Sequence, residues 1–339
     1  MPRTHRLVLA LSMTSLAGCP APPVPDDALD ATIGDAADAT DTAQADTPPG
    51  TDVSLDQPRV PHVCARTRLP GSDGGWIPDA GSPLACNGSP ALCDRRYDQV
   101  SYPTAHNAMS NADERFYLPN QHHGLTRALQ DGVRGFMIDT HYCSGEPSLA
   151  HGECWLGHKP LSVGLCEFTQ FLDAHPGEVV TLQIEPYVTD ADTVAAFEES
   201  GLIDYARYQP PGSPYPTLRQ MIDDGRRLMV FVEQGSGAPS WLMPLFDYSF
   251  DTPYTFATVA DFSCRLNRGA RSNGLFTLNH WLSNPTSDVQ WAQLANVNPV
   301  LIDRAHRCAT EAGHIPNFVA VDFYDVGDLF PTVAALNGL

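Results

Sequence analysis

Two histidines, His106 and His151, are the side chains in this sequence best suited to acid–base chemistry. His106 follows the first apolar run of a regular pattern, and His151 precedes Gly152 in a later loop. The ordinary pKa of histidine, about 6.5, lets one imidazole be neutral and another be protonated at physiological pH. The pair therefore suits a general base and a general acid. The chain has 12 histidines, and we single out these two because of their predicted place at or above strand ends.

Three acidic residues also follow strand-like runs. Asp139 comes directly after the apolar stretch 133–138, and Glu185 comes directly after 179–184. Asp322 closes a third run of this kind near the end of the chain. Because the carboxyl ends of parallel strands meet at one edge of a sheet or barrel, we expect these carboxylates to lie near the two histidines.

The elements that would position these residues alternate between strand and helix over about 240 residues. Six strands are predicted, at 99–104, 133–138, 179–184, 228–232, 275–278 and 318–321. Helices are predicted around 161–172, 217–224 and 258–268. The aromatic stretch 241–256 either contains a further strand or forms an irregular wall. The expected class is α/β, with an irregular (β/α) barrel of the TIM type. A doubly wound open sheet is the alternative, although no Gly-rich phosphate loop follows the first strand.

Composition excludes some functions. The 339 residues include 40 Asp and Glu against 20 Lys and Arg, for a net charge of −20, and only 18% of residues are charged. A chain with this balance has no basic stripe to follow nucleic-acid phosphates. We therefore expect no nucleic-acid partner.

The N-terminus has the pattern of an export signal followed by a spacer. In residues 1–18 two arginines precede an apolar run far shorter than the ~20 residues that cross a bilayer. Leu16-Ala-Gly-Cys19 resembles the bacterial lipobox, whose cysteine is acylated; an ordinary signal peptide is the alternative. Residues 19–60 are rich in Asp, Ala, Thr and Pro, which predicts a disordered acidic linker. We expect an exported protein, anchored to a bacterial membrane through lipid on Cys19.

Apart from Cys19, the chain has eight cysteines, an even number that suggests four disulfides in an exported protein. Many connectivities are open. Two pairs are close in sequence, Cys86–Cys93 and Cys143–Cys154. The other two, Cys264–Cys308 and Cys64–Cys166, follow by elimination. Residues 61–96 are predicted to be a disulfide-containing extension before a barrel domain at 97–339. A zinc site is the competing interpretation, but no CxxC or HExxH spacing favours it.

Five segments in order along 97–339 resemble the X domain of phosphatidylinositol-specific phospholipase C and the wider superfamily of phospholipase C-like phosphodiesterases. They are Thr104-Ala-His-Asn-Ala108, Gly132-Val-Arg-Gly-Phe-Met-Ile-Asp-Thr140, His151-Gly152, Val180-Thr-Leu-Gln-Ile-Glu-Pro186 and Phe318-Val-Ala-Val-Asp-Phe-Tyr-Asp325. The resemblance implies that His106 is the general base, that His151 is the general acid, and that Asp322 orients the base. It also implies a cyclic phosphodiester as the first product.

The resemblance further implies a metal. Calcium-dependent members of the family use the Asn after the first His and acids at the ends of the second and third strands, which correspond to Asn107, Asp139 and Glu185. These are the oxygen ligands that calcium prefers. Met137 stands where the family has a further acid, so we expect a weak site in which magnesium could replace calcium.

The expected function is a phosphodiesterase of the phospholipase C type that acts on an inositol-type phospholipid or a related phosphodiester. One alternative is a glycerophosphodiesterase-like hydrolase, although that family starts with HRG where this chain has His106-Asn-Ala108. Another is a surface-displayed binding module without turnover, which the presence of both histidines argues against. The products would distinguish the three.

Overall fold

The computed structural model describes Cys64, residues 84–283 and residues 286–339. The predicted signal peptide at 1–18, the linker at 19–60 with Cys19, and most of the extension at 61–96 lie outside the described residues. Within the described ranges, no helix combines the length and the apolar character needed to cross a membrane.

Strands and helices alternate along most of the described chain. The strands are β1 Tyr102–Ala105, β2 Gly135–Cys143, β3 Glu146–Ala150, β4 His158–Pro160, β5 Val180–Pro186, β6 Ala206–Arg207, β7 Leu228–Val232, β8 Leu242–Pro244, β9 Ser249–Asp251, β10 Leu275–Asn279 and β11 Phe318–Val321. The helices are α1 Leu125–Asp131, α2 Leu161–Ala174, α3 Asp190–Ser200, α4 Leu218–Asp223, α5 Leu245–Tyr248, α6 Val289–Ala295, α7 Val300–Ala312 and α8 Leu329–Leu336.

The strands form one curled sheet in the order β6-β7-β5-β2-β1-β11-β10-β9, and every neighbouring pair on this path is parallel. β8 pairs with β7, so eight strands follow chain order around the curl: β1, β2, β5, β7, β8, β9, β10 and β11. Within the described part of the chain, each strand of this series is hydrogen-bonded to the next, except that β8 and β9 share no backbone ladder. The short helix α5 joins them instead. The predicted α/β barrel class is confirmed, with an open seam at this point.

Alternation along the strands separates a barrel interior from an outer face that packs on the helices. On β11, Val319 and Val321 belong to the apolar cluster between sheet and helices. Phe318 belongs instead to a second cluster, with Tyr102 and Phe231, that fills one part of the interior. Asp322 follows β11 at the carboxyl end, and its position two residues after Ala320 places it on the inner side. The strand ends thus present polar side chains to a single opening.

The stretch 258–268, predicted to be a helix, has another structure. Only the turn Val259–Asp261 is helical, and residues 267–269 run back beside the outer edge of β9. The backbone nitrogen of Asp251 donates to the carbonyl of Arg268, and that of Asn267 donates to the carbonyl of Asp251. The prediction was wrong because these long-range hydrogen bonds outweigh the helical preference of the local sequence. The aromatic stretch 241–256 was predicted either to contain a further strand or to form an irregular wall. The first alternative is confirmed, because β8 and β9 both lie within it.

The described cysteines form four disulfides, which join the four pairs named from the sequence: Cys64–Cys166, Cys86–Cys93, Cys143–Cys154 and Cys264–Cys308. Cys143 ends β2 and Cys154 follows the hairpin partner β3. This bond therefore closes the loop that carries His151.

Candidate active site

A cavity of about 580 Å³ opens at the carboxyl ends of the barrel strands. Five of the six residues predicted to act in catalysis or metal binding line it: His106, Asn107, Asp139, His151 and Glu185. The sixth, Asp322, is buried directly behind His106. The structure therefore brings the whole predicted set to one place.

His106 and Asp322 form a tight pair. The Nδ1 atom of His106 lies 2.8 Å from Oδ1 of Asp322. Asp322 also accepts hydrogen bonds from the Asn120 amide at 3.0 Å and from the Ser287 hydroxyl at 2.7 Å. Because both carboxylate oxygens are used, the aspartate has one orientation, and it holds the proton of His106 on Nδ1. Nε2 of His106 is then the ring nitrogen that is free to accept a proton.

His151 lies across the same cavity and is held by Asn107. The Asn107 amide nitrogen is 3.1 Å from Nε2 of His151, so the amide donates to the neutral imidazole. Burial lowers the pKa of His151, and the nearby His106 lowers it further. Asn107 has a backbone φ of 46°, a left-handed conformation that Asn adopts more readily than most residues. With the amide nitrogen turned toward His151, the amide oxygen of Asn107 could bind another ligand.

Acidic side chains also line the cavity and form a cluster, called here its acidic side: Asp139, Glu185 and Glu233. Asp139 is only 7% exposed and has no hydrogen-bond or ion-pair partner among the described residues. Burial raises its pKa well above the usual range, and the negative charges of Glu185 and Glu233 raise it further. The Glu185 carboxylate accepts a hydrogen bond from the Tyr187 hydroxyl, and this contact raises the pKa of Tyr187 to about 12.

Two residues of this acidic side were missed from the sequence. Glu233 directly follows β7, and Glu185 is the last residue but one of β5. Burial raises the pKa of Glu233. It accepts a hydrogen bond of 2.7 Å from Arg268, whose guanidinium also binds Asp251 at 2.7 Å. The strand-end pattern that identified Glu185 could have found Glu233. Nothing in the local sequence indicates that Arg268 reaches the cavity.

The oxygen donors of the acidic side suit a cation. As the side chains are placed, no three His, Cys, Asp or Glu residues within the described ranges converge on one point. Asp139 is nevertheless buried without a partner in the described part of the chain and lies beside two further acids, so a cation there would stabilise the charged form of its carboxylate. Asn107, Asp139 and Glu185 could supply an amide oxygen and two carboxylates. Met137 also lines the cavity and has no oxygen to contribute.

The other histidines have different surroundings. His141 lines the cavity and stacks on Tyr187, with ring centroids 4.3 Å apart, and burial lowers its pKa. His280, which follows β10, is fully buried and bonds the carbonyl of Ala295, so it does not reach a substrate. His122 makes a half-exposed ion pair with Asp325 outside the cavity.

Comparison with known proteins gives consistent matches. A family model described as PI-PLC X 1 matches residues 92–337. A PI-PLC X domain-containing protein of Arthroderma benhamiae is 31% identical over 286 residues, which cover 76% of this chain and 90% of that protein. An uncharacterized secreted protein of the same organism is 28% identical over 292 residues, covering 75% of this chain and 64% of that protein.

Solved structures show the same kind of similarity. The phosphatidylinositol-specific phospholipase C from Listeria monocytogenes is 17% identical, with a TM-score of 0.48, and the match covers 73% of this chain and 94% of that one. A calcium-dependent phosphoinositol-specific phospholipase C from Pseudomonas sp. is 14% identical, with a TM-score of 0.36, over 58% of this chain and 80% of that one.

Proposed function

Because the chain belongs to the PI-PLC X domain family, we propose that it is a phosphodiesterase of the phospholipase C type. Its substrate is an inositol-type phospholipid or a related phosphodiester with a neighbouring hydroxyl. The observation that carries the proposal is the pairing of His106 with Asp322 at 2.8 Å, in a cavity that also contains His151. A base with its orienting carboxylate and a second titratable group are what this reaction requires.

The reaction begins at His106. Its Nε2 atom accepts the proton of the substrate hydroxyl, and the hydroxyl oxygen forms a bond to phosphorus. The bond between phosphorus and the oxygen of the leaving alcohol breaks, and that oxygen takes a proton from His151. The products are a cyclic phosphodiester and an alcohol. The attack is intramolecular, which removes most of the entropic cost of bringing the reactants together.

Two features of the site support these roles. The imidazolium that forms on His106 lies against the buried Asp322 carboxylate, which stabilises it without taking its proton. The resting His151 is neutral, because burial lowers its pKa. The negative charge of a bound phosphodiester favours the protonated form of His151 and so prepares it to act as the acid.

We also propose that the site uses calcium, with magnesium as the alternative. Asn107, Asp139 and Glu185 would hold the ion, and water and phosphate oxygens would complete its six to eight positions. When bound, the ion would neutralise charge on the phosphate. Asp139 supports the proposal because it is buried without a partner among the described residues, and a bound cation would stabilise the charged form that burial and the neighbouring acids disfavour.

The test is product analysis with the full chain. The protein is incubated with phosphatidylinositol in phosphatidylcholine vesicles, and with soluble glycerophosphodiesters, each with calcium and with chelator. Phosphorus NMR should show a cyclic inositol phosphate from the vesicles. Linear glycerol phosphate from the soluble compounds would replace the proposal with a glycerophosphodiesterase. No product from any substrate would indicate a binding module.

For location, we propose export and lipid anchoring through Cys19. The four disulfides and the secreted relative support export. Cys19 lies outside the described residues, so the anchor rests on the lipobox-like sequence alone. In a bacterial host, Cys19→Ser should move the protein from the membrane fraction to the soluble fraction and abolish incorporation of labelled palmitate. Unchanged membrane association would show that another segment is the anchor.

A further inference from the structure

The aromatic side chain of Trp281 covers the proposed base, His106. The indole ring of Trp281 stacks on the imidazole of His106, with ring centroids 3.6 Å apart and an angle of 9° between the planes. Trp281 is only 5% exposed and lines the same cavity. Among the aromatic contacts of the described residues, this stack has the shortest separation between ring centroids.

The stack and the Asp322 hydrogen bond restrict His106 in different directions. The hydrogen bond acts in the plane of the imidazole and fixes which edge faces Asp322. It leaves the ring free to tilt about the line between Nδ1 and the carboxylate. The flat indole face removes this freedom, because any tilt would bring imidazole atoms into the indole. Together, the two contacts define the direction in which Nε2 points.

Trp281 is itself held by a rigid neighbour. His280 is fully buried, its Nε2 lies 2.9 Å from the carbonyl of Ala295, and its Nδ1 lies 3.1 Å from Arg304. Its backbone nitrogen donates to Ala320 and so continues the ladder between β10 and β11. Burial lowers the pKa of His280 to about 3, which favours the neutral ring at physiological pH. The buried histidine thus anchors the backbone that carries Trp281.

We propose that Trp281 is a positioning residue that acts through His106. The inference rests on the proposed function, in which His106 is the base. Trp281 holds the imidazole plane so that Nε2 points at the substrate hydroxyl. The aromatic face also favours the imidazolium that forms during the reaction, because a cation is attracted to the face of an indole ring.

The test compares Trp281→Phe and Trp281→Leu with the unmodified full chain. Phe keeps an aromatic face of reduced size, whereas Leu keeps apolar volume without a ring. We expect Leu to lower kcat by about 10- to 100-fold, the scale of a misplaced acid–base group, with KM changed less than about threefold. Trp281→Phe should retain most of the kcat of the unmodified chain. Trp241→Leu is the matched control, since Trp241 packs on Phe197 elsewhere, and its kcat should not change.

A second measurement does not depend on turnover. The indole should shift the ring protons of His106 upfield in proton NMR, and the signals are assigned by their loss in His106→Ala. Trp281→Leu should abolish this shift and broaden the signal of the Nδ1 proton that is hydrogen-bonded to Asp322, while Trp281→Phe should keep a smaller shift and a sharp signal. Thermal melts show whether each variant is folded.

The outcomes separate the two proposals. Unchanged kcat in folded Trp281→Leu, or an unmoved His106 spectrum, would overturn the positioning role. The positioning role would also be overturned if Trp281→Phe had the same low kcat as Trp281→Leu and the two variants had the same His106 spectrum. If the unmodified protein turns over no phosphodiester, the proposed function fails, and the NMR result alone then decides whether Trp281 orients His106.

Discussion

Replacing Asp322 with Asn isolates the charge of the proposed orienting group. Oδ1 of Asp322 receives hydrogen bonds from His106 and Asn120, and Oδ2 receives one from Ser287. An Asn side chain can keep its oxygen toward the first two residues and turn its amide nitrogen toward Ser287. The serine hydroxyl can rotate to accept that hydrogen bond. The geometry should therefore survive, and only the negative charge is lost.

The magnitude follows from the distance. With Nδ1 and Oδ1 2.8 Å apart, the centres of charge of the imidazolium and the carboxylate are about 4 Å apart. At an effective dielectric constant of about 20, their attraction is about 4 kcal/mol. One decade in rate corresponds to about 1.4 kcal/mol, so loss of the charge should slow turnover by about 1000-fold. Asp322 is almost completely buried, so solvent screens little of this interaction.

The assay is the initial rate of cyclic phosphate release at saturating substrate, with a thermal melt for each variant. Asp325→Asn is the matched control, because Asp325 contacts His122 at the same 2.8 Å but is partly exposed and lies outside the cavity. Its kcat should stay within about twofold of the unmodified protein, as expected for a screened surface pair. A folded Asp322→Asn variant with a kcat within tenfold of the unmodified protein would refute the electrostatic role.

Replacing either His106 or His151 with Ala should lower kcat by at least ~100-fold while the melting transition remains, and near-normal rates would remove that residue from the mechanism. Excess chelator should abolish activity, millimolar calcium should restore it, and Asp139→Asn should raise the calcium needed; full activity in chelator would reject the metal. Burial lowers the pKa of His151, and the acid must be protonated. The pH profile of kcat/KM should therefore fall as pH rises through a value below about 6.5, and a profile flat to pH 8 would contradict this assignment.

Strand-end residues were the part of the site that the sequence could predict. His106 and Asp322 directly follow β1 and β11, and Glu185 is the last residue but one of β5. Asp139 directly follows the predicted run 133–138 but lies within β2, which continues to Cys143 and pairs there with β3. The inference works because parallel strands in a barrel share a carboxyl end, so position along the chain determines position at the opening. His151 was found through its resemblance to a family motif, and the structure carries it on the loop closed by a disulfide.

Residues whose position depends on distant contacts could not be predicted. Arg268 lies in a stretch predicted to be helical, and it reaches the cavity because its segment pairs with β9. Trp281 follows a predicted strand, but its stack on His106 joins residues that follow β10 and β1, which are separated by β11 and do not pair directly. The local sequence pattern predicts which face of a strand a residue occupies. It does not predict which residues of other strands or loops will contact that face.

The open seam between β8 and β9 has a consequence for behaviour at high concentration. A sheet edge with free backbone groups can recruit a second molecule and begin aggregation. Here β8 has three residues and ends at Pro244, which has no N–H to donate. The outer edge of β9 is already occupied by residues 267–269, and a Cβ at Gly269 would lie 2.2 Å from the carbonyl oxygen of Ser249, so only glycine fits there. Any larger residue at 269 should detach this segment, expose the edge of β9 to other molecules, and make the protein prone to self-association.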